Sequence, residues 1–157
     1  MADVASIVDL EEGWKDIKEK ALDVLEKMIE SGVKNDNSFF NPSEYVATYT
    51  KCYDMCTQRE PHSWSVQLYN RHGASLDHYL KTVARTAIVA QPDTPREVLL
   101  KEYVKRWNNH KIMNKWYQRF FMYLDRYHIV HYNLPTLSDS GWTIFKEVVY
   151  EPTKVSE

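Results

Sequence analysis

Histidines, cysteines and tyrosines are the side chains in this sequence whose types and spacing could do chemistry. His128 and His131 stand three apart and, with His110, offer nitrogens to a metal ion. A structural or catalytic metal needs further ligands, and no Cys or carboxylate falls at ligand spacing beside them. They read as surface or helix-end histidines, and no metal site is expected. Cys52 and Cys56 lie four apart on one helical face and would need two more ligands from elsewhere; they read as buried core thiols. No glycine-rich phosphate loop, nucleophile elbow or His-Glu-x-x-His helix is present. No carboxylate pair with apolar surroundings suggests acid and base roles. The chain is expected to be no enzyme and to need no cofactor.

Binding is a better use for these residues. Tyr45, Tyr49 and Tyr53 recur once per turn, and a tyrosine offers a large apolar ring, few rotatable bonds and a hydroxyl that tolerates water. Such a stripe suits an interface as well as a core, and spacing alone favours core packing. A basic cluster, Lys101, Lys105, Arg106, Lys111 and Lys115, could contact phosphates. The blander reading is a solvated face, because no nucleic-acid reading motif accompanies it and the whole chain carries a net charge of -2.

The elements that position these residues follow from composition and period. With 157 residues, 43% of them hydrophobic, the chain is the size of one domain, residues 1–157, with an ordered core expected at about 10–150. Four glycines in all disfavour a β fold with many tight turns. The amino terminus has no basic and apolar leader, and no run of about eighteen apolar residues occurs. Two cysteines are too few for a disulfide scaffold, so no membrane partner is expected and the cytoplasm or nucleus is the expected location.

Taken in order, Leu10, Trp14, Ile17, Ala21, Leu25 and Met28 predict a first amphipathic helix ended by Gly32. Asn41-Pro42-Ser43-Glu44 predicts the start of a second, which runs to just before Pro61. Trp64, Leu68, His72, Leu76 and Val83 predict a third. Thr94-Pro95-Arg96-Glu97 reads as a capping box for a fourth helix, with a tight corner at Asn108-Asn109-His110 leading into a fifth that Leu134-Pro135 stops. Along that fifth helix Met113, Trp116, Phe120, Leu124 and Tyr127 make one stripe, while Tyr117, Phe121, Tyr123 and His128 lie off it. Such a helix is either central and packed on several sides or presents aromatics to a partner. Ser138 or Asp139 would cap a last helix with an apolar face of Trp142, Phe145, Val148 and Val149. The expected class is all-α, five helices and the start of a sixth.

Tyr45-Val46-Ala47-Thr48-Tyr49-Thr50-Lys51-Cys52-Tyr53-Asp54-Met55-Cys56-Thr57, Gln67-Leu68-Tyr69, Trp107-Asn108-Asn109-His110-Lys111-Ile112-Met113 and Phe121-Met122-Tyr123-Leu124-Asp125-Arg126-Tyr127 together resemble the amino-terminal part of a cullin, of the plant cullin-1 type. The likeness runs in order from about Leu10 to Tyr150. It implies a first cullin repeat, a five-helix bundle belonging to the scaffold of an SCF-type cullin-RING ubiquitin ligase. It further implies that the second and fifth helices bind a Skp1-like adaptor protein carrying an F-box protein. At matching positions the adaptor contacts would be Tyr45, Val46, Tyr49, Phe120 and Tyr123.

A full cullin continues through two more repeats and a RING-binding region. Against that pattern the sequence reads as a fragment or a short cullin-like protein, in the second case a competitor that occupies adaptor without delivering ubiquitin. Trp142 and Phe145 are then expected to be partly exposed. The alternative reading is a helical bundle that acts through its basic face on nucleic acid or another protein.

Overall fold

The computed structural model describes residues 7–32, 39–89 and 93–153. Among the described residues there is no strand, and the helices form six rods. Rod α1 occupies residues 10–30, as regular helix over Leu10–Ile17 and Asp23–Glu30 joined by a π-helical turn at Lys18–Leu22. Asp9 caps it by accepting from the amides of Glu11 and Glu12, and Gly32, at φ +90°, closes it in the left-handed conformation that glycine tolerates. Rod α2 is Pro42–Thr57. Its capping box forms as the sequence predicts: Asn41 Oδ1 accepts from Glu44 N at 2.8 Å, and Glu44 Oε1 accepts from Asn41 N at 3.1 Å.

Rod α3 runs through Ser65–Tyr79, a π turn at Leu80–Ala84, and Arg85–Val89. Rod α4 is Arg96–Phe120, unbroken over 25 residues. Rod α5 comprises a π turn at Leu124–His128 and Ile129–Tyr132. Asn133, left-handed at φ 52°, ends it before Pro135. Rod α6 is Leu137–Phe145, a π turn at Lys146–Tyr150, and Glu151–Thr153.

Three local expectations need correction. The corner expected at Asn108-Asn109-His110 does not exist, because these polar residues are accommodated inside α4. Asn109 and His110 are buried, and His110 Nε2 donates to Gly141 O at 3.0 Å. The chain interrupts its helix instead at Phe121, where φ -103° and ψ 23° leave the helical region. The Thr94 to Glu97 capping box does not form either: Pro95 occupies the cap position with no side-chain bond. The cap of α6 is Thr136, whose hydroxyl accepts from Asp139 N at 3.1 Å, two residues before Ser138.

Rod α4 packs against α1, α2, α3 and α6, which accounts for aromatics around most of its girth. Met113, Trp116, Tyr117 and Phe120 are all buried, with Phe121 just beyond. Close packing also fixes two glycines. A Cβ at Gly13 would lie 2.5 Å from Met55 Sδ of α2, and one at Gly141 would lie 1.9 Å from Asn114 Oδ1 of α4. Tyr79 Oη and Arg106 Nη1 both donate to Glu30 Oε1 at 2.6 Å, and Arg106 Nε donates to Glu102 Oε1 at 2.7 Å. Through this network α1, α3 and α4 share one buried cation.

Candidate functional site

On α2 the residues facing the core are Thr48, Cys52, Met55 and Cys56. The helical repeat then leaves Tyr45, Val46, Tyr49 and Tyr53 along one outward stripe. Tyr45 and Tyr49 are half-buried and Val46 is 53% exposed. The Tyr45 ring lies 6.4 Å from both Trp116 and Phe120 of α4, and its hydroxyl donates to Arg119 O at a long 3.4 Å. Tyr49 follows one turn on, 6.4 Å from Tyr45.

Beyond the interruption at Phe121, Tyr123 comes up beside this stripe. Its ring meets Tyr53 edge-on at 5.2 Å and lies 4.7 Å from Tyr127. Burial, reinforced by Cys56 and the Tyr53, Tyr127 and Tyr49 phenols around it, pushes the Tyr123 hydroxyl above its ordinary pKa. At neutral pH it is an uncharged donor. Side chains from two segments some seventy residues apart thus lie side by side on one surface, with Arg119 stacked over Trp116 at 4.7 Å beside them.

Phe120 does not belong to that surface. It is 0% exposed, wedged against Phe40 at 5.1 Å and Trp116 at 5.7 Å. It is the floor beneath Tyr45 and cannot itself touch a partner, which corrects its expected place among the contacts. Tyr127, expected on the core stripe, is 59% exposed instead. The non-helical Phe121 and the π turn that follows shift the phase of the chain, so Phe121, Leu124 and His128 take core positions and Tyr127 the surface. Neither device leaves a mark in an apolar period.

The other chemistry-bearing residues are accounted for by packing. His110 sits against Trp142 and Phe145, whereas His128 sits against Tyr69 and Tyr132. Among the described residues no three or more His, Cys, Asp or Glu are grouped to hold a metal. Cys52 and Cys56 are free, buried thiols. Burial holds His72 and His110 each down at a pKa of about 4. The basic cluster loses Arg106 to Glu30 and Glu102. Phe145 is buried and Trp142 half-buried under Trp107, 4.9 Å away, so of that pair only Trp142 keeps exposed surface. No helix among the described residues is long and apolar enough to cross a membrane.

Comparison with known proteins places this helical array. A family model described as the cullin alpha solenoid domain matches residues 14–157. The chain is 38% identical over 147 residues to Cullin-1 of Oryza sativa subsp. japonica, covering 94% of this chain and 19% of that protein. It is 39% identical over 148 residues to Putative cullin-like protein 1 of Arabidopsis thaliana, covering 92% and 19%. It is 26% identical over 164 residues to Cell division control protein 53 of Saccharomyces cerevisiae, covering 93% and 20%. The chain belongs to the cullin family, and it spans about a fifth of the length of these relatives.

Proposed function

We propose that the chain is a non-catalytic scaffold module of an SCF-type cullin-RING ubiquitin ligase, acting in the cytoplasm or nucleus. In this reading Tyr45, Val46, Tyr49 and Tyr123 bind a Skp1-like adaptor and, through it, an F-box protein. The observation that carries the reading is that aromatics of α2 and of the segment after Phe121 share one partly exposed surface. A closed core would have hidden them. Rigid tyrosines around a buried aromatic floor are suited to anchoring an interface.

The test is adaptor titration by calorimetry with wild type and with a Tyr49→Ala, Tyr123→Ala double variant. Each substitution is expected to weaken binding by ~2 kcal/mol, with the far-ultraviolet circular dichroism unchanged. Wild-type affinity in the double variant, or a collapse of helicity in place of affinity, would reject the proposal. If the module acts as a competitor, the 157-residue chain added to a ligase rebuilt on a full-length cullin slows ubiquitination of an F-box substrate. An unchanged rate at saturating adaptor occupancy speaks against that role.

A further inference from the structure

Cys52 and Cys56 are the two cysteines of the chain, both free and both on the core side of α2, one helical turn apart. Packing explains their burial but not their pairing. The Cys52 thiol donates to Cys56, and the Ser65 hydroxyl at the start of α3 donates to Cys56 as well. The two sulfurs are not equivalent: Cys52 is 0% exposed, whereas Cys56 keeps 7% of its surface, so an oxidant that reaches it is small. A thiol that receives hydrogen bonds ionises more readily, and one that donates does so less readily. The bond from Cys52 therefore holds Cys56 below the ordinary thiol range and leaves Cys52 well above it.

We infer that Cys56 and Cys52 form a peroxide-reactive dithiol, with Cys56 the attacking sulfur and Cys52 the resolving one. The Cys56 thiolate attacks one oxygen of hydrogen peroxide; the S–O bond forms as the O–O bond breaks, and the other oxygen leaves as hydroxide, which becomes water with the proton Cys56 gave up. Cys52 then attacks the sulfenic sulfur. The S–S bond forms, the S–O bond breaks, and the hydroxyl departs with the Cys52 proton as a second water, so the two sulfurs together give two electrons to the peroxide. One turn of helix sets the two Cβ atoms about 5–6 Å apart, and a disulfide needs about 3.5–4.5 Å. Cys56 stands where that difference can be met, in the last turn of α2, which ends at Thr57 with Gln58 already extended at ψ 154°. Closing the bond draws in that turn alone. The same turn carries Tyr53, whose carbonyl accepts from Thr57 Oγ1 at 2.8 Å and whose ring meets Tyr123, so oxidation reaches the outer aromatic surface from beneath. A bond closed against helix geometry is readily reduced, which makes this a reversible modification and not a structural cross-link.

The test takes the reduced 157-residue chain, treats it with hydrogen peroxide, alkylates it with iodoacetamide in denaturant and weighs it by mass spectrometry. The expected product is a single chain that has lost two hydrogens and takes up no iodoacetamide, with both alkylation sites restored by dithiothreitol. Cys52→Ser should stop at a Cys56 sulfenic acid that dimedone traps, and Cys56→Ser should react slower by about tenfold or more. Phenylarsine oxide, which bridges neighbouring thiols, gives a readout that needs no oxidation: wild type should bind one per chain and neither single variant any. Wild-type thiols that both remain alkylatable under peroxide sufficient to oxidise dithiothreitol would overturn the inference, and so would a disulfide found only between chains.

Discussion

Mild acid should loosen this fold through two imidazoles. His72 and His110 are 2% and 1% exposed, and burial pulls each from 6.5 down to about 4. At His72 the bond to Tyr69 O and the charge of Asp125 act the other way and are outweighed. At His110 the Nδ1 atom has no hydrogen-bond partner, so a proton there would place an unpaired N–H in the core. Because both folded values lie below the unfolded one, the unfolded chain takes up protons first as the pH falls through 6.5. Stability is lost from there down to about pH 4. Between pH 7 and pH 5 the loss works out at about 2 kcal/mol per histidine, about 4 kcal/mol together, against a typical total of about 5–15 kcal/mol.

One group opposes this. Burial, then the Asp23 carboxylate, raises Glu26 to about 7. Its folded form is the first to protonate on acidification, which adds stability from neutral pH down toward 4.5. A Glu26→Gln chain removes that offset. The assay is urea unfolding followed by circular dichroism at pH 7 and pH 5, in wild type and in Glu26→Gln. The variant should show the larger loss. A midpoint in Glu26→Gln that does not move between the two pH values would refute neutral, buried histidines as the source.

Gly141→Ala must push Asn114 aside, breaking its bond to Ser138 O at 3.3 Å, and should cost about 1–3 kcal/mol in thermal unfolding; an unchanged melting temperature would count against the close approach of α6 to α4. Arg106→Met leaves Glu30 and the Tyr79 hydroxyl without their cation. Glu30 retains 35% of its side-chain surface, so a loss of about 2–3 kcal/mol is expected, below that of a fully buried pair. A Tyr79→Phe, Arg106→Met double variant should cost less than the sum of the singles if the three groups form one network.

Sequence made some of these elements readable and hid others for physical reasons. The Asn41 box was readable because both its bonds are local, three residues apart. Gly32 and Asn133 end their helices where the sequence places the stops. The Asn108 to His110 segment misled because its polar atoms find partners 31 residues away, at Gly141, or none at all, as for Asn109 Nδ2. Polarity at such a site says nothing of exposure until the packing is known. Arg106 misled in the same way, as a cation counted with a surface cluster whose carboxylate partner at Glu30 is 76 residues distant. The aromatic surface shared by α2 and the segment after Phe121 was legible as a surplus of aromatics. Which of them stand outside was not, since Phe120 and Tyr127 exchange expected roles through one non-helical residue and a widened turn.

The widened turns at Lys18–Leu22, Leu80–Ala84, Leu124–His128 and Lys146–Tyr150 have a bearing on how the chain tolerates change in length. Each holds slightly more backbone per revolution than its flanks. Losing a single residue there can be absorbed by tightening to ordinary α-helix, leaving the side-chain faces on either side in phase. A deletion in the middle of α4, which is regular from end to end, has no such slack. It would swing Tyr103 and Arg106 by about 100° relative to Met113, Trp116, Tyr117 and Phe120.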